Sequence, residues 1–227
     1  ACPGAVPGRH ALIVTSRSRP VSVANARAIR DRLGDGPWYV VAADGGADTC
    51  SAIGVAPDVV VGDMDSLAPG SRSRLSEIGC RMICHPVEKD KTDTHLAMDL
   101  AAEMGFKDVC VLMHRSGRLD HVLGVIWAAF GPATRGVRVR FVDAGFEAVL
   151  MVGTSSVSIA GERGLTVSLL PLPQARGITL SGMKYPLNKA SLSLGETRGI
   201  SNETVESEAG VRMVAGTLLV TATGVSD

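Results

Sequence analysis

Hydrophobic and polar positions follow two different patterns along the chain, and the pattern changes near residues 143–147. Before this point, short continuous apolar runs alternate with stretches of helical spacing. After it, strand-like runs follow one another without helices between them. Continuous apolar strands are typical of a sheet that helices cover on both faces, and alternation with helices indicates parallel pairing. The pattern therefore predicts an α/β domain followed by an all-β domain.

The first predicted domain covers residues 10–143 and should contain a mostly parallel sheet with flanking helices. Its helical segments place apolar residues three or four positions apart, as Ala97, Ala101 and Met104 show within residues 92–104. The predicted strands are residues 11–15, 38–43, 58–61, 81–84, 108–113 and 137–142. The predicted helices are residues 21–33, 46–53, 69–78, 92–104 and 119–130.

The second predicted domain covers residues 147–225 and contains strand-like pieces separated by Gly, Pro, Ser and Asn. Such spacing is typical of a β-sandwich or a barrel, and we expect a sandwich. The predicted strands are residues 147–152, 155–159, 165–170, 177–181, 190–194, 211–214 and 217–223.

Composition and charge narrow the range of partners. Among the 227 residues, 23 basic side chains balance 23 acidic ones, so the chain has no general attraction to nucleic acid or anionic membranes. It contains no apolar run long enough to cross a bilayer, and residues 1–10 lack the apolar core of a signal peptide. The five cysteines are odd in number and form no CxxC pair, which favours a cytoplasmic protein without disulfides.

Acidic residues stand where the predicted strands of the first domain end. Because the carboxyl ends of parallel strands share one edge of a sheet, we expect Asp44, Asp63 and Asp93 to converge there, together with Asp65. Four motifs carry these acids: Asp44-Gly45-Gly46-Ala47-Asp48, Gly62-Asp63-Met64-Asp65-Ser66, Glu88-Lys89-Asp90-Lys91-Thr92-Asp93 and Gly117-Arg118-Leu119-Asp120-His121.

Crowded carboxylates repel one another, and a hard divalent cation such as Mg²⁺ removes that repulsion while bridging to phosphate oxygens. Gly45 and Gly46 would let a ligand approach the backbone closely, and Lys89, Lys91 and Arg118 add positive charge. The chain has no GxxxxGK[ST] or GxGxxG motif, so a phosphate site must depend on metal and scattered side chains.

Several of these residues also have a purely structural interpretation. Asp93 and Asp120 could be helix N-caps, and His121 could cap a helix or lie in the core. Asp48 is interpreted as a solvated residue on a helix face.

Taken together, the four motifs resemble those of the thiamine pyrophosphokinase family in order and spacing over residues 10–142. The second half is similar more loosely, through Thr197-Arg198-Gly199-Ile200-Ser201-Asn202-Glu203 and the last strand. The resemblance implies an α/β domain followed by a β-sandwich, and a homodimer that binds thiamine at its subunit interface. The implied reaction converts ATP and thiamine to AMP and thiamine diphosphate.

The resemblance also implies roles for individual residues. It implies that Mg²⁺ is held by Asp63, Asp65 and Asp93, which act in catalysis together with Asp120. The implied nucleotide and phosphate contacts are Asp44, Gly45, Gly46, Lys89, Asp90, Thr92, Arg118 and His121. Ser201 and Asn202 would contact thiamine in the site of the partner subunit. The chain departs from the family pattern at His114-Arg115-Ser116 and at Leu123-Gly124-Val125.

Three other functions fit part of the sequence. A Mg²⁺-dependent diphosphokinase for another hydroxymethyl heterocycle, such as a pterin, would share every phosphate residue. A Mg²⁺-dependent phosphohydrolase would use water in place of the acceptor. A non-catalytic nucleotide-binding module is disfavoured, because binding alone rarely needs several acids facing phosphates.

Overall fold

The computed structural model of the chain describes residues 10–16, 21–34, 36–115, 118–160 and 163–224. These residues form two compact units that divide between Ala144 and Gly145. The predicted N-terminal lead-in, Cys2 and Gly117 of the fourth motif lie outside the described residues.

In the described part of the first unit, six strands alternate with helices, as the hydrophobic pattern predicts. The strands are β1 (His10–Val14), β2 (Trp38–Ala43), β3 (Val59–Gly62), β4 (Arg81–Cys84), β5 (Asp108–Leu112) and β6 (Arg138–Asp143). The helices are α1 (Val23–Leu33), α2 (Gly46–Ile53), α3 (Ser71–Glu77), α4 (Asp93–Glu103), α5 (Leu119–Ala128) and α6 (Phe130–Thr134). None of the helices in the described residues is both long and apolar enough to cross a membrane.

The strand order in this unit is β4-β3-β2-β1-β5-β6, and each neighbouring pair is parallel. The chain adds strands to one side of β1 as far as β4 and then crosses to the other side with β5. The topological switch point therefore lies between β1 and β5. In open α/β sheets, ligands bind outside the carboxyl ends of the strands at this point.

The core of the first unit is built from the central strands and the helices that cover them. Leu12 of β1, Val40 of β2 and Val60 of β3 are almost completely buried and belong to one cluster with Ile29 of α1 and Ile53 of α2. Helix α4 packs on β1, β2 and β3. The loop that precedes α4 leaves the carboxyl end of β4, so the first turn of α4 lies near the carboxyl ends of these strands.

The described part of the second unit is made of strands, as predicted. They are β7 (Phe146–Val152), β8 (Ser155–Ala160), β9 (Thr166–Ser181), β10 (Ala190–Ser193), β11 (Asn202–Glu203), β12 (Glu208–Met213) and β13 (Ala215–Thr223). They pair antiparallel in the order β7-β13-β9-β12-β8, with β10 and β11 also on β9. Over the whole chain, strand pairing is therefore mixed.

The prediction of two separate strands at residues 165–170 and 177–181 is wrong, because β9 runs continuously from Thr166 to Ser181. Pro171, Pro173 and Gly177 had indicated a break. The pairing with β13 shifts register there: Leu218 lies opposite Pro171, whereas Gly216 lies opposite Ala175. The extra residues of β9 form a bulge, where proline removes no ladder hydrogen bond.

Candidate active site

Three aspartates from different elements meet at the carboxyl edge of the first sheet. Asp44 directly follows β2, Asp63 directly follows β3, and Asp93 is the first residue of α4. One carboxylate oxygen of each lies within 4.8 Å of the others. We refer to these three residues as the acidic group.

Two residues, one in the acidic group and one beside it, have backbone conformations that are uncommon for residues with a side chain. Asp44 has a φ of 46° and Met64 a φ of 66°, although both carry side chains. Gly62 has a φ of +152°, and a Cβ there would lie 2.8 Å from the Cβ of Asp44 and 3.1 Å from the Cγ of Asp93. Glycine is therefore required for the carboxylates to come together.

Lys89 provides the positive charge within the acidic group. Its Nζ lies 2.9 Å from Asp63 Oδ2 and 2.9 Å from Asp93 Oδ1. The hydrogen bond from Lys89 lowers the pKa of Asp63 below its usual value. Burial works against the charged form of Lys89, yet its bonds to Asp63 and Asp93 outweigh burial and raise its pKa. When all four groups are ionised, three carboxylates face one ammonium, which leaves a net negative charge.

Asp44 is the least compensated member of the acidic group. It is 5% exposed, and its Oδ1 has no hydrogen-bond partner among the described residues. Burial raises the pKa of Asp44; hydrogen bonds from Ser66 and the Gly45 backbone offset part of this rise, and repulsion from Asp63 and Asp93 adds to it. A cation would satisfy this buried carboxylate oxygen, and clustered carboxylate oxygens are the ligands that Mg²⁺ prefers. The acidic group therefore fits a divalent cation.

Asp65 and Asp90 lie outside the acidic group. The carboxylate of Asp65 is exposed and accepts a hydrogen bond from Ser66 Oγ at 3.0 Å. Its backbone N–H donates to Asp63 Oδ1 at 3.3 Å, so it supports the neighbouring ligand. Asp90 is exposed in the loop before α4. The metal role of Asp65 and the nucleotide role of Asp90 stay predictions.

A cavity of about 550 Å³ adjoins the acidic group, at the ends of β1, β2 and β5. Arg118 and Asp120 lie at its wall and form an exposed pair, with Arg118 Nε 3.1 Å from Asp120 Oδ1. The hydrogen bond from Arg118 lowers the pKa of Asp120. The lining is Thr15, Ser16, Ala43, Asp44, Ser66, Thr92, Asp93, Thr94, His114, Arg118, Asp120, His121, Gly124 and Val125.

The two glycines after Asp44 are packed against neighbouring backbone. A Cβ at Gly46 would lie 2.1 Å from the carbonyl oxygen of Val14, and one at Gly45 would lie 2.8 Å from Ser16 Oγ. The glycines thus bring the start of α2 against the end of β1. Ligand contact by their backbone stays a prediction.

Sequence reasoning missed several lining residues, notably Thr15 and Ser16 after β1, Ser66, and Thr94 on α4. Thr15 and Ser16 stand at a strand end, so the rule that identified the acids applied to them equally. Their hydroxyls are uncharged, so they give no sign of repulsion or of metal binding in the sequence, unlike the acids at the other strand ends.

Comparison with known proteins agrees with this geometry. Residues 31–141 match the model of the thiamin pyrophosphokinase catalytic domain, and residues 156–218 match that of the thiamin pyrophosphokinase vitamin B1 binding domain. The chain belongs to the thiamin pyrophosphokinase family. Its sequence is 28% identical to the thiamine pyrophosphokinase of Bacillus subtilis (strain 168) over 181 residues, which cover 79% of this chain and 85% of that protein.

Solved structures from the thiamin pyrophosphokinase family share the fold. The crystal structure of the Bacillus subtilis protein superimposes with a TM-score of 0.81 at 24% identity, covering 96% of this chain and 100% of that one. The thiamin pyrophosphokinase from Geobacillus thermodenitrificans gives a TM-score of 0.77 at 25% identity, covering 96% and 99%.

In this family member, Ser201 and Asn202 lie within the segment that matches the vitamin B1 binding model. The amide of Asn202 is buried and bonded to backbone: Oδ1 accepts from Tyr185 N at 3.0 Å and from Glu203 N at 2.9 Å, and Nδ2 donates to Tyr185 O at 2.8 Å. Ser201 is exposed, with a φ of 58°. Thiamine contact by either residue stays a prediction.

Proposed function

We propose that this chain transfers a pyrophosphoryl group from ATP to the hydroxyl of thiamine, giving thiamine diphosphate and AMP. The observation that carries the proposal is the acidic group. Its buried Asp44 oxygen, which has no partner in the part of the chain that the structure describes, adjoins the cavity at the sheet's switch point. Membership of the thiamin pyrophosphokinase family supports the choice of substrates.

We further propose that Mg²⁺ binds at Asp63 and Asp93, with Asp44 and Asp65 completing its surroundings. The fit of the acidic group to a hard cation supports this assignment, because Lys89 neutralises only one of its three carboxylates. When bound, Mg²⁺ would neutralise charge on the phosphate oxygens, as metals do in other phosphoryl transfers.

In the proposed reaction, the thiamine hydroxyl oxygen forms a bond to the β-phosphorus of ATP. The bond between the β-phosphorus and the oxygen that bridges to the α-phosphorus breaks, and AMP leaves with that oxygen. Asp120 or Asp93 takes the hydroxyl proton, since both carboxylates line the cavity. Such transfers depend on positioning and charge stabilisation more than on covalent chemistry by the protein.

The remaining predicted residues would guide the nucleotide to this point. We propose that Arg118 and Lys89 contact phosphate oxygens. A bound anionic ligand would draw these two side chains away from their present carboxylate partners. Thr92 and His121 line the cavity and would contact the nucleotide. Asp44, Gly45, Gly46 and Asp90 would complete the nucleotide path.

We propose that residues 10–143 form the catalytic α/β domain with a mostly parallel sheet, and residues 147–225 a β-sandwich that binds thiamine and dimerises. Ser201 and Asn202 would serve the site of the partner subunit in a homodimer, with the active site at the interface. The match of residues 156–218 to a vitamin B1 binding model supports the thiamine role. A cytoplasmic location suits the free thiols of Cys50, Cys80 and Cys84.

Product analysis tests the function directly. The protein is incubated with ATP, Mg²⁺ and one of three acceptors: thiamine, a pterin alcohol or water alone. We expect AMP and thiamine diphosphate in equal amounts with thiamine, and little AMP otherwise. AMP release that does not depend on the acceptor would indicate a phosphohydrolase, and preference for the pterin would indicate another diphosphokinase.

A further inference from the structure

Asp48 is not the solvated helix-face residue that its sequence position indicates. It lies in the first turn of α2 and is half-buried, and its carboxylate points at the segment between β3 and α3. Oδ2 accepts a hydrogen bond from Ala68 N at 3.0 Å, and Oδ1 accepts one from Ser71 Oγ. Asp48 therefore joins α2 to the chain that follows Asp63.

The two segments that Asp48 joins each carry a member of the acidic group. Asp44 immediately precedes the loop that opens α2, and Asp63 opens the segment that leads to Ala68. Nearer to the carboxylates, the backbone of Gly45 lies close to that of Ser66: a Cβ added to Gly45 would be 3.2 Å from the Ser66 carbonyl oxygen. The bond from Asp44 N to Val61 O at 2.9 Å joins the two segments at one end, and Asp48 joins them again at Ala68, so that the segment after Asp63 is held against the start of α2.

We propose that Asp48 is a positioning residue that holds the Asp63–Ala68 segment against α2, so that the acidic group binds its cation tightly. The proposal rests on the proposed function, because the cation is the one assigned to that reaction. Asp48 itself does not reach the reacting atoms. Partners that orient metal ligands typically change metal affinity by about 10- to 100-fold when they are removed.

If Asp48 served only to cap the N-terminus of α3, only part of its contacts would be explained. The N-cap residue of α3 is Gly70, which provides no side-chain hydrogen bond, and Ser71 Oγ also accepts from Arg74 at 2.7 Å. The bond to Ala68 N, however, lies upstream of the helix and constrains the loop. Removing Ser71 Oγ and removing the Asp48 carboxylate should therefore have different consequences.

The test measures Mn²⁺ affinity by electron paramagnetic resonance in the presence of ADP, for wild type and for Asp48→Ala, Asp48→Asn and Ser71→Ala. We expect affinity to fall about 10-fold in Asp48→Ala. It should stay within about 3-fold of wild type in Asp48→Asn, because the amide oxygen still accepts from Ala68 N. Ser71→Ala should resemble wild type, since it retains that bond.

Equal affinity of wild type and Asp48→Ala would overturn the positioning role. Equal losses in Asp48→Ala and Asp48→Asn would also overturn it, because they would show a long-range charge effect. If Asp48→Ala does not fold, Asp48→Glu displaces the carboxylate while keeping its charge, and unchanged affinity there has the same meaning. Failure of the wild type to bind Mn²⁺ would instead contradict the proposed metal site.

Discussion

Two buried side chains, one in each unit of the molecule, differ in how their polar atoms are paired. In the first unit, Asp44 keeps a carboxylate oxygen without a partner among the described residues, next to two more carboxylates. In the second, every polar atom of the Asn202 side chain is bonded to backbone. Buried polar groups are normally satisfied. At Asp44 the unpaired oxygen coincides with two neighbouring carboxylates, which indicates a binding site, whereas the fully bonded amide of Asn202 indicates a structural role.

The largest effect is expected from Asp63→Asn. Losing one carboxylate from the acidic group should lower kcat/KM for thiamine diphosphate formation by about 10²- to 10³-fold, as for other key electrostatic groups. Asp99→Asn is the matched control, because Asp99 is also an ion-paired aspartate of this unit, bonded to Lys91 at 2.7 Å and Arg135 at 3.1 Å. Similar losses in both variants would show a general effect of ion pairs.

Gly62→Ala should cost both activity and stability. Its Cβ would collide with Asp44 and Asp93, and overpacking of this kind typically destabilises by about 1–3 kcal/mol. Gly79→Ala provides the control, since Gly79 also has a positive φ, of 72°, but no described atom lies within 4 Å of its Cβ position. Gly62→Ala should lose more activity at saturating Mg²⁺ than Gly79→Ala, and it should unfold at a lower urea concentration. Equal activity and equal stability of the two variants would contradict the close approach at Gly62.

Asn202→Ala should act mainly on stability. It removes three partly buried hydrogen bonds to the backbone of Tyr185 and Glu203, which costs about 1–3 kcal/mol in urea unfolding. Asn202→Asp keeps both accepted bonds but places a buried carboxylate oxygen against Tyr185 O, so it should also destabilise the fold at neutral pH. A large rise in the thiamine KM with unchanged stability would mean that the amide serves substrate and not the fold.

The smallest effect concerns Asp44 and pH. Burial raises its pKa above 3.8, so the folded protein binds the proton more tightly than the unfolded chain. Its ionisation therefore lowers stability as pH rises from 3.8 through the raised pKa, and the loss persists at neutral pH. Without metal at pH 7, Asp44→Asn should melt about 2–4 °C above wild type.

Melting temperatures measured at several pH values provide the control for Asp44→Asn. Below pH 3.8 the advantage of Asp44→Asn should vanish, because the carboxyl is protonated in both states. Added Mg²⁺ should raise the melting temperature of wild type more than that of the variant. A variant less stable than wild type at pH 7 without metal would show that Asp44 is already compensated.

Sequence reasoning could predict the order of strands and helices and the convergence of three acids, because both follow from hydrophobic periodicity and from strand-end geometry. It could not predict that Asp48 crosses to Ala68, since a helix-face aspartate looks the same whether it is solvated or bonded. Nor could it find the continuous β9. Prolines normally indicate a break in a strand, and the shift in register against β13 that accommodates them here is not visible in the sequence. Interactions that depend on a distant neighbour leave no local signal.

Crystals grown with Mn²⁺ and ADP offer the most direct measurement of the central claim. An anomalous difference map should contain a peak at bonding distance from the carboxylates of Asp63 and Asp93, and that peak should be lost in Asp63→Asn. An active enzyme whose only Mn²⁺ peak lies away from the acidic group would contradict the account.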